Sequence, residues 1–278
     1  MTESLPPVSR TAVGVAALRA YESSRPDRLF DDPYAAAFAE AGRSALPGSG
    51  RDSAQAGLGA LMYPQIVTRT RFYDDYLLDA GCAQVILLAA GLDARAFRLA
   101  WPPGTRVFEV DLPEVLEFKD EVLAGRGASP TCERIVVRTD LREDWATALR
   151  EAGFDPGVPT AWLIEGLLIY LSHEDADRLL TTVGELSAPG SRLSCEHRAA
   201  DAPDGLIARA RAAEGAEHVT GLWRGGLRTT VAEWLTAHGW QASTVTRAEA
   251  AQSYGRPADG TATADGFVTA VRQSSTLR

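Results

Sequence analysis

Four positions in the middle of the chain combine residue types and spacing suited to a polar organic ligand: Gly91, Asp111, Asp140 and Glu165. Each stands just beyond a short apolar run: VILLAA (85–90), VFEV (107–110), RIVV (134–137) and WLI (162–164). Small residues at the end of the first run, Ala89, Ala90 and Gly91, let backbone approach a ligand closely. Asp111, at the tip of the second, is placed to accept hydrogen bonds from both hydroxyls of a ribose. Strand alternation puts Glu109 on the same side, so either acid could serve. Asp140 with its apolar neighbour Leu141 could frame an adenine, and Glu165, leaving an apolar run, needs a cationic or donor partner. Taken singly, each acid is best explained as a surface residue capping a helix N-terminus. Repeated at equivalent places, they suit one ligand with a ribose, an adenine and a cationic tail. S-adenosylmethionine has those parts, including a sulfonium and an amino group.

The elements that would position these residues follow from periodicity. VILLAA precedes the helix-like DARAFRLAW, RVFEV (106–110) precedes PEVLEFKDEVLA, and RIVV precedes REDWATALREAG. TAWLIEG (160–166) then precedes HEDADRLLTTVGELSA, and SRLSCEH (191–197) precedes an Ala- and Arg-rich helical stretch. Short apolar runs alternating with amphipathic segments predict βα units and a parallel sheet, whose ligands bind beyond the carboxyl ends of the strands. WQASTVT (240–246) and GFVTAVR (266–272) read as two further strands joined by a Gly/Pro/Ala loop without a helix, a terminal hairpin adding an antiparallel strand. The first 80 residues have helical periodicity over VSRTAVGVAALRAYES and from Gln55 to Ala80. The expected class is therefore α/β, mostly parallel, with an antiparallel C-terminal hairpin and a helical N-terminal cap. One domain is expected, with a cap over 1–80, a cofactor-binding core over 81–200, and a substrate lid and closing strands over 201–278. Residues 1–50 and about 200–230 would enclose an acceptor molecule and move as lids.

Composition excludes several other classes. With 278 residues, 45% hydrophobic and 23% charged, the chain reads as an ordinary globular protein. A net charge of −9 argues against a nucleic-acid partner, which requires clustered Lys and Arg. No stretch approaches the roughly 20 apolar residues of a membrane helix, and MTESLPPVSR lacks the apolar core of a secretory signal. Cys82, Cys132 and Cys195 are odd in number and far apart, so neither a disulfide framework nor a zinc site is expected. A reducing cytoplasm fits. The four His have no ligand spacing, and no metal is expected. A-A-G-L-D-A supplies one of the three glycines of a dinucleotide fingerprint, which leaves a nicotinamide-dependent reductase as the weaker alternative.

The motifs together resemble the leucine carboxyl methyltransferase family, in its bacterial branch of S-adenosylmethionine-dependent enzymes of actinobacterial secondary metabolism. They are LLAAGLDAR (87–95), FEVDLP (108–113), TDLRED (139–144) and IEGLLIYLSHED (164–175), with LFDDPYAAAF (29–38) and VTRTRFYDDYL (67–77) upstream. The resemblance spans nearly the whole chain. It implies a Rossmann-like class I methyltransferase sheet, S-adenosyl-L-methionine as cofactor and O-methylation of a small acidic or phenolic metabolite. It further implies that Arg69 pairs with the cofactor's carboxylate, that Ala89 and Gly91 line its methionine part, and that Asp111 holds the ribose. Asp140 and Leu141 would hold the adenine, and Glu165 the amino group or the reaction centre, with Arg19 as a further cation from the first helix. Ala89 departs from the pattern, standing where the family has the first glycine of its GxG.

Other conspicuous residues carry two readings each. Tyr170 either faces the substrate or packs beneath the cap, and Trp223 either walls a substrate pocket or anchors the lid. His197, at the fifth strand tip, or His173 would be the candidate base should the acceptor be a phenol; a surface role is the alternative for His197. Ser172 and Asp175 fit a capping box, which makes His173 and Glu174 first-turn helix residues, and Asp32-Pro33 fixes a helix start. A non-catalytic adenosyl-binding protein is the alternative from a different class, with Ala89 marking lost turnover. The acceptor and the oligomeric state are not legible.

Overall fold

In the computed structural model, which describes residues 7–43, 53–197, 212, 220–257 and 265–274, a seven-stranded sheet has the order β3-β2-β1-β4-β5-β7-β6. The strands are β1 (Gln84–Leu88), β2 (Arg106–Asp111), β3 (Glu133–Arg138), β4 (Thr160–Ile164), β5 (Arg192–His197), β6 (Trp240–Thr246) and β7 (Gly266–Arg272). The chain runs outward through β1, β2 and β3, then returns to lay β4 on the other side of β1. That reversal makes the carboxyl ends of β1 and β4 the switch point where an open parallel sheet leaves a crevice. β7 pairs antiparallel with both β5 and β6, so it alone runs against the other strands. The antiparallel hairpin expected at the end of the chain is thus present, with its second strand inserted into the sheet.

Every residue of β1 and β4 is buried, as strands covered on both faces require. Alternation along β1 sends Val85 and Leu87 to one face and Ile86 and Leu88 to the other. The first face is covered by α1 (Pro7–Ser23) and α3 (Ser53–Asp79), through Val13, Ala16, Tyr73 and Leu77. The second is covered by α6 (Trp145–Glu151), α7 (His173–Glu185) and α8 (Val231–Ala237), through Trp145, Leu149, Leu180 and Trp234. The cap also holds α2 (Ala35–Ala41), whose entry is fixed as expected: Asp32 accepts the backbone N–H groups of Tyr34 and Ala35.

Three expectations are corrected. First, β1 ends at Leu88 and not at Ala90, and the helix after it, α4 (Arg95–Arg98), is a single turn. Second, α9 (Arg247–Ser253) lies between β6 and β7, where only a loop is expected. RAEAAQS has no apolar periodicity to announce a helix; the signal is the capping box in which Thr246 and Glu249 satisfy each other's backbone N–H groups. Third, Glu109 takes no part in ligand binding. Its side chain is fully buried against Lys119 of α5 (Pro113–Ala124), also fully buried, at 2.8 Å, and Arg134 reaches the same oxygen at 2.7 Å. The lid over about 200–230 falls largely outside the described residues, as does the first part of the N-terminal segment. The three cysteines are free. Among the described residues no helix is long and apolar enough to cross a membrane.

Because Lys119 neutralises a carboxylate with no access to water, truncating it leaves a buried charge short of a partner. Lys119→Met is expected to lower unfolding free energy by about 3 kcal/mol in urea denaturation. A loss below about 1 kcal/mol would show that Arg134 alone suffices.

Candidate active site

The carboxyl ends of the first four strands open into one cavity of about 1010 Å³, and Gly91, Asp111, Asp140 and Glu165 all line it. The acids expected at successive strand tips therefore share a crevice. Ala12, Val15, Met62 and Ile66 of α1 and α3 supply apolar wall.

The turn after β1 is left-handed twice, with φ of +53° at Ala89 and +49° at Gly91. Ala89 is the one non-glycine residue with positive φ among the described residues. An L-residue holds that conformation at a cost of about 1–2 kcal/mol, so surrounding bonds must impose it. They do: Ala90 N–H donates to the Val110 carbonyl at 3.1 Å, and Gly91 N–H donates to Asp111 Oδ2 at 2.6 Å. Leu112 N–H donates to the other Asp111 oxygen at 2.7 Å. Asp111 thus fixes the turn and still has acceptor capacity on both oxygens for a pair of hydroxyls. Burial pushes its carboxyl above the ordinary aspartate range, against those two N–H donors.

Glu165 is held by two guanidinium groups. Arg69 Nε lies 2.8 Å from Oε1, and Arg95 Nη1 donates to Oε2 at 2.7 Å. Burial by itself would raise its pKa, but Arg95 and then Arg69 outweigh burial and hold the carboxyl below its ordinary range. Arg95, itself buried, also bonds Asp93 and, at 2.6 Å, Asp74 on α3; Arg98 bonds Asp74 at 2.7 Å. Asp93 is brought to about 2, burial being overcome by Arg95, Lys119 and Arg98. Arg69, expected to meet the cofactor's carboxylate, is already bracketed by Glu165 and by Glu196 at 3.0 Å. Gly166, at φ +65°, turns the chain beside it; a β-carbon there would sit 3.4 Å from Arg69 Nη1. Four carboxylates (Asp74, Asp93, Glu165, Glu196) thus face three guanidinium groups (Arg69, Arg95, Arg98), a surplus of negative charge that suits a cation.

The remaining predicted residues divide. Leu141 and Tyr170 line the cavity. Asp140 lines it too, but both its oxygens are engaged by Arg142, through the backbone N–H at 2.9 Å and the guanidinium. Arg19 lines it while bonding Asp32 at 2.9 Å and the Leu92 carbonyl at 2.7 Å, fastening α1 over the turn after β1. His197 does not line it. Adjacent residues of β5 point to opposite faces; Glu196 faces Arg69, and His197 is directed toward Asp265 and Glu233, with its basicity lowered by burial against those two acids. As a catalytic base it is corrected on that ground. His173 opens α7 behind a Ser172 cap, its Nδ1 against the Gly226 carbonyl. Sequence reasoning missed Glu196, although its own rule, an acid at a strand tip, selects it. It also missed the hub at Arg95, visible as the arginine closing LDAR.

A family model for leucine carboxyl methyltransferase matches residues 12–184. The chain belongs to the leucine carboxyl methyltransferase family. It is 49% identical over 272 residues to a Parafrankia sp. protein named for S-adenosyl-L-methionine-dependent methyl transfer, covering 95% of this chain and 87% of that one. A Streptomyces coelicolor protein of the same description is 47% identical over 253 residues, covering 89% and 88%. Among solved structures, a DUF574 family protein from Streptomyces avermitilis has the same fold, with a TM-score of 0.57, 20% identity and coverage of 92% and 96%. A Thermobifida fusca structure gives 0.56 and 20%, covering 95% and 94%. The sheet is that of a Rossmann-like class I methyltransferase, and the protein is an S-adenosylmethionine-dependent methyltransferase.

Two substitutions test the cofactor end of this methyltransferase. Asp111→Ala removes the residue expected to accept from the ribose, and the anchor of the turn; calorimetry is expected to show at least about a tenfold loss of S-adenosylhomocysteine affinity. An unchanged dissociation constant would place the ribose elsewhere. Ala89→Gly relieves the left-handed alanine, so unfolding free energy is expected to hold or rise by up to about 1 kcal/mol. An ordinary Ala→Gly loss of about 0.5–1 kcal/mol would show that the turn does not adopt this conformation.

Proposed function

We propose that this methyltransferase transfers the methyl group to an oxygen, carboxylate or hydroxyl, of a small and largely apolar metabolite of the polyketide-like kind. The observation that carries this reading is the division of the cavity. Asp111, Asp140 and Glu165 line it at the strand tips, and α1, α3 and the 220–224 stretch contribute the apolar side chains Ala12, Val15, Met62, Ile66 and Leu222. A volume of about 1010 Å³ reaches the top of the range of roughly 300–1,000 Å³ for single-ligand sites, which suits a cofactor and an acceptor together.

The residues present fit the cofactor. Asp111 offers two oxygens to ribose hydroxyls, Leu141 an apolar edge to an adenine, and the surplus carboxylates around Glu165 a negative field for a cation. Bound there, S-adenosylmethionine supplies a sulfonium methyl group that an acceptor oxygen takes in line, the electron pair of the broken C–S bond returning to sulfur. The chain's contribution is alignment. Ala89 and Gly91 would bring backbone close to the cofactor, while α1 and α3 would exclude water and orient the acceptor.

Among the described residues lining the cavity there is no histidine, the usual base for a hydroxyl acceptor. Glu165 and Asp93 are held ionised by arginines, and Asp175 is bonded by Ser172 and Arg178. A carboxylate acceptor, with a pKa of about 4, arrives ionised and needs no base, whereas a phenol near 10 does. The site therefore favours a carboxylate, and the product is a methyl ester.

The test is transfer from methyl-labelled S-adenosylmethionine to a panel of aryl and alkyl acids and phenols. Labelled product released by mild alkali is an ester. With a carboxylate acceptor, kcat/KM is expected to stay flat between about pH 6 and pH 9, because the nucleophile is fully ionised throughout. A rate climbing about tenfold per pH unit would identify a hydroxyl acceptor that must first ionise. Transfer to nitrogen or sulfur acceptors alone would remove the reading.

A further inference from the structure

Six arginines line the cavity, and five of them are engaged by carboxylates: Arg19 by Asp32, Arg69 by Glu165 and Glu196, Arg95 by Asp93, Asp74 and Glu165, Arg98 by Asp74, and Arg142 by Asp140. The sixth, Arg224, has no ion pair among the described residues. Its neighbour Trp223 lines the same cavity, and the Trp223 indole N–H is buried without an acceptor among the described residues. A buried donor left unpaired costs stability unless something else accepts from it.

This stretch is held in place although it belongs to no helix or strand. Arg224 N–H and Gly225 N–H both donate to the Ile169 carbonyl, at 2.8 and 3.2 Å, and Gly226 N–H donates to the Leu171 carbonyl at 3.1 Å. Ile169 and Leu171 flank Tyr170, in a short 3-10 turn that also lines the cavity. Tyr170, Trp223 and Arg224 therefore sit on two segments that are bonded backbone to backbone and both line the cavity. Leu167 and Leu222 add apolar lining. Arg224 is exposed, whereas the strand-tip acids Asp111, Asp140 and Glu165 are half-buried.

We infer that Trp223 and Arg224 form an anion-reading end of the acceptor subsite, so that the acceptor is an apolar, ring-bearing molecule carrying an anionic group apart from the oxygen that is methylated. The inference rests on the reading of the cavity as a two-ligand methyl-transfer site. A guanidinium paired to the attacking oxygen would lower its nucleophilicity, so the group read by Arg224 is a second one. Guanidinium also suits this place because it stacks on aromatic faces while its donors meet a planar or tetrahedral oxyanion.

The inference is testable without knowing the acceptor. The probes are 1-anilinonaphthalene-8-sulfonate and its uncharged counterpart N-phenyl-1-naphthylamine, titrated by fluorescence into protein saturated with S-adenosylhomocysteine. The sulfonate is expected to bind more tightly than the neutral dye. Arg224→Gln is expected to raise the dissociation constant of the sulfonate about tenfold while leaving the neutral dye within about twofold, and Arg224→Lys to recover most of the loss. Calorimetry with S-adenosylhomocysteine on each variant is expected to give an unchanged affinity. Failure of that nucleoside to bind native protein would count against the methyl-transfer site itself, separately from this inference. With nucleoside binding intact, absence of sulfonate binding, equal weakening of both dyes, or an Arg224→Gln variant that binds the sulfonate as the native protein does would each overturn it.

Discussion

Glu165 sits between two guanidinium groups, one oxygen to each, at the point where β4 ends. The arrangement ties three separate parts of the chain together: the tip of β4, helix α3 through Arg69 and Asp74, and the turn after β1 through Asp93 and Arg95. Burying so many charges carries a desolvation cost of several kcal/mol per ion, and only multiple close partners for each ion offset it. Here Arg95 meets three carboxylates and Asp74 two arginines. The lattice is expensive to interrupt, because removing any one member leaves a buried charge short of a partner. It also fixes where the cap sits, since α3 cannot slide over the sheet without breaking Asp74 and Arg69 away from it.

The turn after β1 depends on the same tip region by a different route. Asp111 receives one backbone N–H on each oxygen, from Gly91 and from Leu112, and so links the ends of β1 and β2. A glycine at position 89 would take the left-handed conformation at no steric cost. Alanine takes it because the ladder bond from Ala90 to Val110 and the bond from Gly91 to Asp111 leave no other path for the chain. The added methyl lies on the cavity wall. The left-handed backbone and the cavity wall therefore coincide at one position, and the residue that supports the turn is the residue expected to hold the ribose.

The sheet was legible in the sequence because its strands are apolar runs bounded by turn residues; β6 and β7 coincide with the runs predicted, and β2, β3 and β5 differ by a residue at one or both ends. The strand-tip acids were legible because a carboxylate that ends an apolar run has few reasons to be there. What was not legible depended on neighbours distant in sequence. Glu109 and Asp111 share a strand face, but Glu109 lies two residues deeper, where Lys119 returns over the sheet and Arg134 reaches across from β3. Alternation gives the face and says nothing of depth. The choice of His197 over Glu196 failed for the complementary reason: residue type drew attention to the histidine, whereas register directs the preceding glutamate to Arg69. The helix α9 escaped because seven residues of mixed polarity carry no period, only a cap.

The distribution of charge around the cavity bears on how rate and affinity are divided. Surplus carboxylates beside Glu165 stabilise a bound cation, yet methyl transfer consumes that positive charge, so the same field favours the starting state over the products. Interactions that hold the ground state as well as the transition state improve binding without raising the rate. In the proposed reaction, acceleration is then expected from the apolar lining that α1 and α3 supply, Val15, Met62 and Ile66, through exclusion of water and alignment of the acceptor. A methyltransferase of this design gains affinity from the strand tips, which the fold fixes, and rate and selectivity from helix faces and the 220–226 stretch, which the sheet leaves free to vary. The sequence record of its acceptor should therefore be sought in α1, α3 and that stretch rather than in the motifs that identify the family.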